Sequence, residues 1–567
     1  MQALNALAAA EPVAVGSDRR LVQWWPLAAL IVLAAALRLA TLDQQSFWYD
    51  EAFTPVHVLH SGLGATLRAV VHHENTPPLW YLLAWADARL FGDGALALRL
   101  PSALAGILTV PVVWAIARRL AGRRAAVIAA AIVAVNPLFL WYSQEARAYG
   151  LFVLTSTLAM LCLVRAMDEP SARRMAAFAL TGALALLTHY FAVFLLVPMA
   201  LWLLCDAAHR RMALAAAGAL AAVGLALAPL ISAQGGQGTQ WIGHWALSSR
   251  LQAIPQYFLT GYSGAPLGRG VELLVALPIL AGVALGAWRL FGGARAGFRA
   301  GATQVSGAEP DASAQAARPD FVKLRRAVWI SLSIAGFALL CPIALALVGA
   351  DYLAPRNLVA AMIPLSVAIA VLLAAVDTDG GAGAGEKHHA GDPASWLLRP
   401  GLALAAIVVV AFAVLSADVD LSPRLQRGNW RDVAKALGAG SPARAITTVE
   451  LGAAPLEYYL GSLHNLARRS SVRVSEIDET GYAPLRHGAG RPPAPGFRLL
   501  ARHDVDGLIV YRFVSSVPRL VSEAELRRHV ITLAHPEVLV PTRDQSSQTA
   551  ARAGSLHSQM SSSDENI

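Results

Sequence analysis

The sequence is poor in charge and in cysteine, and each shortage excludes a class of protein. Only 15% of the 567 residues are charged, against about 25% in an ordinary soluble domain. Three cysteines are too few for the disulfide framework of a small secreted domain. Hydrophobic residues instead make up 56% of the chain, which is more apolar surface than a soluble protein can bury. We therefore expect an integral membrane protein.

Long apolar runs recur along the chain, whereas a membrane β-barrel would show short alternating segments. Because about 20 apolar residues in a helix cross a bilayer, we predict eleven spans, at residues 24–42, 97–117, 123–141, 148–167, 175–188, 190–206, 213–232, 271–291, 328–349, 357–376 and 399–417. The segment 78–91 is short, aromatic and partly charged. That composition favours a helix at the membrane interface over a further span.

The positive charges are distributed as in a plasma-membrane protein with a cytoplasmic N-terminus. In a soluble protein the net charge of +9 would suggest that nucleic acid is a partner. Here the basic clusters at 19–20, 118–124, 173–174, 210–211 and 295–326 all fall on the inner side of the eleven spans. Cytoplasmic loops carry such an excess of lysine and arginine, so we expect membrane lipids as surroundings and no nucleic-acid partner.

The predicted fold class is an all-α polytopic membrane protein with a small α/β extracytoplasmic region at its C-terminal end. We predict a cytoplasmic N-terminus at 1–23, a membrane domain at 24–417 whose first outer loop, 43–96, carries interfacial helices, and an extracytoplasmic domain at 418–540. Within that last domain, 445–450 and 508–513 are expected as strands and 455–460 as a helix. The serine-rich tail, 541–567, is expected to be disordered.

The polar residues that need a functional explanation fall at the outer ends of the predicted spans. They come from segments far apart in sequence and combine carboxylate, imidazole, guanidinium and aromatic groups, which is typical of an active site in an outward cavity. The candidates are Asp50, Glu51, His73, Tyr142, Glu145, Arg147, His189, Tyr190, Trp241, His244, Tyr257 and Arg356.

Several of these residues also have structural explanations. Asp50 and Glu51 could stabilise the start of a helix, where carboxylates are favoured. Glu145 and Arg147 could form an ion pair at the membrane edge, and the aromatic residues an interfacial belt. His73, with His72 and Glu74, has spacing that would suit zinc or manganese. This spacing alone does not support a metal site, so no metal ligands are assigned and the cofactor is unknown.

The order of these residues resembles the membrane-embedded GT-C glycosyltransferases, particularly the bacterial relatives of protein O-mannosyltransferases and of aminoarabinose transferases. The resemblance covers most of residues 21–206 and weakens towards 460. The matching stretches are FWYDEAF (47–53), His73 with PPLWY (77–81), ALRLPS (97–102), WYSQEAR (141–147), THY (188–190), PR (355–356) and NWR (429–431). In relatives the histidine directly precedes Pro-Pro, whereas three residues, 74–76, intervene here.

The resemblance implies transfer of a sugar from a polyprenyl-phosphate donor, on the outer face, to a protein, lipid or glycan acceptor. The lipid phosphate leaves as an anion and needs cationic contacts, whereas the acceptor needs a base. One carboxylate therefore suffices, unlike the two of glycosidases. Asp50 is the implied base and displacement inverts the anomeric carbon. Glu51 would support Asp50 or position the acceptor.

The same resemblance implies roles for the cationic and aromatic candidates. Arg147 and Arg356 would hold the donor phosphate, since a guanidinium makes bidentate contacts to it. Glu145 would bind sugar hydroxyls or Arg147. His189 and Tyr190 would line the donor cavity. His73, Tyr142, Trp241, His244 and Tyr257 are expected at the acceptor or along the cavity.

A secondary transporter or lipid flippase is the alternative function. Many spans with embedded polar residues would permit it. However, a transporter places its charges near the bilayer midplane and shows repeated halves with broken helices, whereas the charges here cluster near one interface. A structural or sensory membrane protein would leave the first-loop carboxylates unexplained.

Overall fold

The computed structural model describes residues 16–236, 239–264, 267–292, 312–378, 399–438, 443–461, 463–529, 531–532 and 535–542. Most of the predicted N-terminal segment and nearly all of the serine-rich tail therefore lie outside the described residues. The described chain forms two compact units. We name residues 1–40, 75–80 and 100–417 the membrane unit, and residues 41–74, 81–99 and 418–567 the sheet unit.

The α-helices occupy most of the described chain. In order they are α1 Gly16–Leu39, α2 Tyr49–Phe53, α3 Leu63–His73, α4 Leu79–Phe91, α5 Ala95–Ala121, α6 Arg123–Val135, α7 Pro137–Ser143, α8 Tyr149–Asp168, α9 Ala172–Thr188, α10 Ala192–Leu204, α11 Arg210–Gln234, α12 Gln240–His244, α13 Leu247–Gly264, α14 Arg269–Ala287, α15 Ala312–Leu347, α16 Met362–Val376, α17 Pro400–Leu421, α18 Trp430–Leu437, α19 Ala453–Leu460 and α20 Glu523–Arg528. Short 3-10 or π turns precede or follow several of them, including Thr54–Val58 and Pro355–Ala361.

Each of the eleven predicted spans coincides with a helix or with a bent pair of helices. Among the described residues, seven helices are long and apolar enough to cross a membrane, and the pair α6–α7, bent by 55°, would make an eighth. The apolar part of α1 and the helices α9 and α10 are shorter. The chain is thus a multi-pass membrane protein, as predicted, while the count of eleven remains a prediction. The segment 78–91 forms the 13-residue helix α4.

Helix α16 lies at the centre of the membrane unit. Nearly all of its residues are buried, and it packs against α6, α14 and α15. A helix that is apolar on every side is expected in such a position. Gly286 of α14 permits a close approach, since a Cβ atom there would lie 2.2 Å from the Leu372 carbonyl oxygen. Substitution of Gly286 would therefore push two packed helices apart.

The sheet unit contains six strands: β1 Arg444–Val449, β2 Leu463–Asn465, β3 Ser471–Tyr482, β4 Arg498–Val505, β5 Leu508–Ser522 and β6 Pro536–Pro541. Their spatial order is β2-β6-β1-β3-β5-β4. The pair β1–β3 is parallel, with Thr447 opposite Glu479, and the remaining pairs are antiparallel. The predicted strand 445–450 is confirmed as β1 with its bounds shifted by one residue, and the predicted strand 508–513 and helix 455–460 lie within β5 and α19. The other four strands were not predicted.

Alternate residues of the strands point to opposite faces of the sheet, and each face carries its own core. On one face, Ile446 and Val510 pack with Trp430 of α18 and Leu456 of α19. The opposite face packs the side chains of Val474, Ile477, Phe513, Leu526 and Val538. The first outer loop contributes α2 and α3 to this same compact unit. That loop was predicted as part of the membrane domain, and the domain boundaries remain a prediction.

Candidate functional site

A break between α6 and α7 shapes the candidate site of the membrane unit. The residue before a proline is disfavoured in a helix, and Asn136 precedes Pro137 at this point. The Asn136 side chain accepts the N–H groups of Leu138 and Phe139 at 3.0 and 3.2 Å. A fully buried arginine, Arg38, donates to the carbonyl oxygens of the α6 end. Both ends of the break are thereby satisfied without water.

The motif WYSQEAR follows this break and is fixed mainly through backbone contacts. The Gln144 side chain donates to the Leu37 carbonyl at 3.1 Å. The Ser102 hydroxyl donates to the Arg147 carbonyl at 3.1 Å, and the Arg147 N–H donates to the Glu145 carbonyl at 2.8 Å. Glu145 is completely buried, whereas Arg147 is half-buried. The turn thus holds a carboxylate and a guanidinium two residues apart in a rigid backbone.

His189 lies buried between α9 and α10, where the aromatic ring of Phe152 stacks on it with centroids 4.6 Å apart. Burial and the nearby cations Arg356 and Arg147 lower the pKa of His189 to about 3. The imidazole is therefore neutral at physiological pH. Its Nδ1 accepts the Phe191 N–H at 3.2 Å, so the proton of the neutral ring lies on Nε2, which is a hydrogen-bond donor.

Arg356 links His189 to the aromatic candidates. It lies in the 3-10 turn Pro355–Ala361, and its guanidinium carbon is 4.9 Å from the centre of the Trp241 ring. It also interacts electrostatically with Tyr142 and Tyr257. We call Arg147, Arg356, His189, Tyr142 and Trp241 the cation–aromatic cluster. The structure thus brings together residues that are more than 200 positions apart in sequence.

Two other predicted residues of the membrane unit lie outside these contacts. The Tyr190 hydroxyl donates to the Gln234 side chain at 2.7 Å, and the Gln234 amide donates to the Thr76 carbonyl at 3.2 Å. His244 is exposed at the end of α12. Gln234, at the end of α11, therefore links Tyr190 to the segment before α4.

The remaining predicted residues belong to the sheet unit, where Asp50 and Glu51 begin α2. Glu51 is fully buried and accepts two hydrogen bonds of 2.7 Å from Arg99. Arg99 also donates to the carbonyl oxygens of Leu42, Gln45 and Ser46. A second buried arginine, Arg427, lies 3.6 Å from the Glu51 carboxylate. This geometry favours the supporting role of Glu51 over positioning of an acceptor.

The motif NWR fixes the same loop from a distant part of the sequence. The Trp430 N–H donates to the Ser46 hydroxyl at 3.0 Å, and Arg431 donates to the Asp43 carbonyl at 3.1 Å. Asn429 caps α18 by accepting the Asp432 N–H at 3.2 Å. The Tyr459 hydroxyl accepts the Phe47 N–H at 2.8 Å. The backbone that leads into Glu51 is therefore held in place at residues 43–47.

Asp50 itself is half-buried, in contrast to its buried neighbour Glu51. Burial, and then the charges of Glu537, Glu450, Asp50 and Glu74, raise the pKa of Tyr49 to about 12. His73 is exposed, whereas Glu74 is buried. Within the described residues, no three histidine, cysteine or acidic side chains come together in an arrangement that could hold a metal ion.

Comparison with known proteins matches part of the chain to a family model. Residues 75–233 match the family model described as dolichyl-phosphate-mannose-protein mannosyltransferase. The resemblance to the GT-C glycosyltransferases is confirmed. The matched residues include α4 to α11 and therefore Glu145, Arg147, His189 and Tyr190. No curated protein matches the GT-C-like chain significantly.

Several solved structures are similar to this GT-C-like chain at low identity. Cupriavidus metallidurans ArnT, bound to undecaprenyl phosphate, is 14% identical with a TM-score of 0.46, over 86% of this chain and 97% of that one. Archaeoglobus fulgidus AglB, in complex with an inhibitory peptide and a dolichol-phosphate, is 16% identical with a TM-score of 0.41, over 78% and 60%. The S. cerevisiae Pmt1-Pmt2 complex bound to the sugar donor is 17% identical with a TM-score of 0.29, over 38% and 33%.

Three residues that position the candidates of this GT-C-like chain were not identified from the sequence. Arg99 lies inside the recognised stretch ALRLPS, yet it was not identified as the partner of Glu51. Arg38 interrupts the apolar run of α1, and a buried arginine within such a run is a signal that could have been used. Arg427 has no local signal, because its partners Gln45 and Glu51 belong to the first outer loop.

Proposed function

We propose that this chain transfers a sugar from a polyprenyl-phosphate donor to a protein, lipid or glycan acceptor on the outer face of the plasma membrane. The observation that carries the proposal is the cation–aromatic cluster, in which Arg356 lies 4.9 Å from the Trp241 ring and the buried His189 packs 5.8 Å from the Tyr149 ring, two residues after Arg147. A lipid phosphate is an anion that partitions into the membrane, and guanidinium groups bind phosphate in bidentate geometry.

In this proposal the membrane unit stabilises the leaving group. Arg147 and Arg356 bind the phosphate oxygens, which gain negative charge as the glycosidic bond breaks. The Nε2–H of His189 donates a hydrogen bond to a donor oxygen. Since the imidazole stays neutral, it contributes a hydrogen bond, while the positive charge comes from the two arginines. Stabilisation of developing charge by fixed groups is commonly the largest part of catalysis.

Asp50 is the proposed base, which removes the proton from the acceptor hydroxyl or amine as this attacks the anomeric carbon. One displacement of this kind inverts the configuration at that carbon. Glu51 does not compete for this role, because Arg99 binds both of its oxygens. We propose that Glu51 and Arg99 keep the Asp50 backbone fixed. Glu145 would bind sugar hydroxyls, and Tyr142, Tyr190, Trp241 and Tyr257 would bound the donor cavity, with His73 and His244 at its acceptor side.

The decisive experiment measures sugar release from a radiolabelled polyprenyl-phosphate hexose by the full chain in nanodiscs. Asp50→Asn should lower turnover by about 10²- to 10⁴-fold, the usual contribution of a general base, while donor binding is retained. The matched control is Asp43→Asn, which removes an exposed carboxylate of the same loop and should leave turnover unchanged.

Either of two results would reject parts of the proposal. Equal turnover of wild type and Asp50→Asn would exclude Asp50 as the base. A wild-type chain that binds no polyprenyl-phosphate sugar at all would exclude this donor class and would favour transport of a lipid instead.

A further inference from the structure

Helix α13 of the membrane unit contacts α7, the helix that leads into the turn of Arg147. The Asn136 side chain, which caps α7, also donates to the Phe258 carbonyl oxygen at 3.2 Å. A Cβ atom on Gly261 would lie 3.0 Å from the Pro137 side chain, so the backbones of the two helices are in close contact here. α13 is therefore fixed on the helix that precedes one of the two proposed phosphate-binding arginines.

The first turn of α13 forms a buried ion pair with a second segment of the same unit. The Arg250 side chain is only 3% exposed, and its two terminal nitrogens donate to the two carboxylate oxygens of Asp351 at 2.7 and 2.6 Å. One of these nitrogens also donates to the Leu353 carbonyl oxygen at 2.9 Å. The Leu353 N–H in turn donates to the Asp351 carboxylate at 3.2 Å. Bidentate contacts of this kind fix the direction of a segment as well as its distance.

The backbone held by this ion pair leads directly into the turn that carries Arg356. Leu353 and Ala354 are buried. The Asn357 N–H donates to the Ala354 carbonyl oxygen at 2.9 Å, and the Asn357 side chain donates to the Tyr352 carbonyl oxygen at 3.1 Å. Contacts on both sides of Arg356 therefore fix its backbone, and the ion pair with α13 provides the contact on its N-terminal side.

We propose that Arg250 and Asp351 are positioning residues for Arg356. Their ion pair fixes the turn of Arg356 to α13, and α13 in turn contacts the helix that leads into the turn of Arg147. The inference rests on the proposed function, in which both of these arginines bind the donor phosphate. A group that is fixed in its binding geometry beforehand loses less freedom when the ligand arrives, and it binds more tightly. The terminal nitrogens of Arg250 are bound within the chain, so we assign it no contact with the phosphate.

The test compares two lipids that differ only in the phosphate, polyprenyl phosphate and polyprenol, as ligands of the full chain in nanodiscs. The ratio of the two affinities measures how well the phosphate is bound, and partial unfolding of a variant affects both ligands equally. Arg250→Gln should lower the affinity for polyprenyl phosphate about 10-fold, as expected for one weakened hydrogen bond to a charged group. Its affinity for polyprenol should be unchanged. Asp351→Asn keeps an oxygen for the Leu353 N–H and should lower the ratio less.

A double variant distinguishes positioning from an independent role. Because Arg250 acts through Arg356 in this proposal, adding Arg250→Gln to Arg356→Gln should change the ratio by less than about 2-fold. A direct contact of Arg250 with the phosphate would give the full further loss. The control is Arg119→Gln, which removes the arginine of another ion pair in the membrane unit, 3.4 Å from Asp168. It should leave the ratio unchanged.

The possible failures can be told apart. If wild type prefers polyprenyl phosphate but Arg250→Gln does not lower the ratio, or lowers it equally with and without Arg356, the positioning role is wrong and the transferase proposal stands. If wild type binds the two lipids equally well, the arginines do not bind the phosphate, and both proposals are wrong.

Discussion

The two groups of candidate residues use arginine in opposite ways. In the sheet unit, Arg99 binds both oxygens of the buried Glu51, and three carbonyl groups satisfy its remaining donors. In the membrane unit, Arg356 lies against the Trp241 ring and, with Arg147, acts on a neutral imidazole. A buried cation whose charge is fully matched holds a backbone in place. Arg147 and Arg356 are instead proposed to bind the phosphate of the sugar donor.

The strongest test of this difference is removal of the matched cation. Arg99→Met leaves Glu51 buried without its main partner, and breaking such a pair costs about 3–5 kcal/mol. We expect a large fall in the apparent unfolding temperature, measured by thermal scanning, and a loss of donor turnover that follows the loss of folded protein. Arg68→Met, at an exposed position of the same unit, is the control and should change neither.

A double variant separates charge from packing in the same experiment. Glu51→Leu combined with Arg99→Met should be more stable than Arg99→Met alone, because no uncompensated carboxylate remains buried. If the single and double variants unfold at the same temperature, the ion pair is not what stabilises the loop.

Removal of the cation beside Trp241 should affect binding more than stability. A hydrogen bond to a charged group contributes about 1.5–3 kcal/mol, so Arg356→Gln should weaken donor binding roughly 10- to 100-fold. The unfolding temperature should fall little. The control is Arg269→Gln, at an exposed arginine of the membrane unit. If Arg356→Gln lowers the unfolding temperature without weakening donor binding, Arg356 stabilises the fold as Arg99 does. The proposed difference between the two arginines would then be wrong.

Substitution of Asn136 at the break between α6 and α7 should have a smaller effect on stability and donor affinity, and a second N-cap of the membrane unit provides a matched control. Asn136→Ala removes an N-cap, which costs about 0.5–2 kcal/mol. Because α7 leads into the WYSQEAR turn, donor affinity should fall together with stability. Ser171→Ala removes the side-chain cap of α9 and should reduce stability alone. Donor affinity unchanged in Asn136→Ala would show that the break does not position the candidates.

The smallest predicted effects are opposite pH trends in the two units. Burial, Arg356 and Arg147 lower the pKa of His189, so its contribution to stability is present above the unfolded value near 6.5 and is lost as pH falls. Burial raises the pKa of Glu479 to about 7 although His529, 2.7 Å away, opposes this. The contribution of Glu479 is present below its unfolded value of 4.5 and is lost as pH rises through 7.

Unfolding temperatures measured from pH 5 to pH 8 check both signs. His189→Gln should gain stability relative to wild type towards pH 5, and Glu479→Gln should gain towards pH 8, each on the order of a few degrees. If the unfolding temperature of a variant changes with pH in the same way as that of wild type, the pKa of the substituted residue does not differ between the folded and unfolded states as described.

Most of the helices were predictable because their signal is local. An apolar run of about 20 residues specifies a spanning helix whatever surrounds it, and the eleven predicted segments all form helices. The sheet was only partly predictable. β1 and the start of β5 carry apolar residues, whereas β4 is exposed along most of its length and has no periodic signal. Strand pairing also depends on residues elsewhere in the chain.

The candidate residues were predictable as types, but their roles were not. Charged and aromatic groups at the ends of apolar runs are unusual enough to be noticed one at a time. Nothing in the stretch around Asp50 shows that Glu51 is bound by Arg99, or that the Gln45 side chain accepts the N–H of Arg427, 382 residues away. Likewise, Asn136 before a proline indicates a helix break, but only folding brings Arg38 to the carbonyl groups of Val133 and Ala134 at the end of α6.

The sequence alone determined that this chain crosses a membrane, and it carried the motifs that resemble GT-C glycosyltransferases. Composition and apolar periodicity decide these features, because each residue contributes to them independently of distant contacts. Tertiary structure alone decided that Arg99 binds the buried Glu51 and that Arg356 lies against the Trp241 ring. A buried charge is stable only beside its partner, and the partner of Glu51 and the neighbours of His189 come from positions that no local pattern connects.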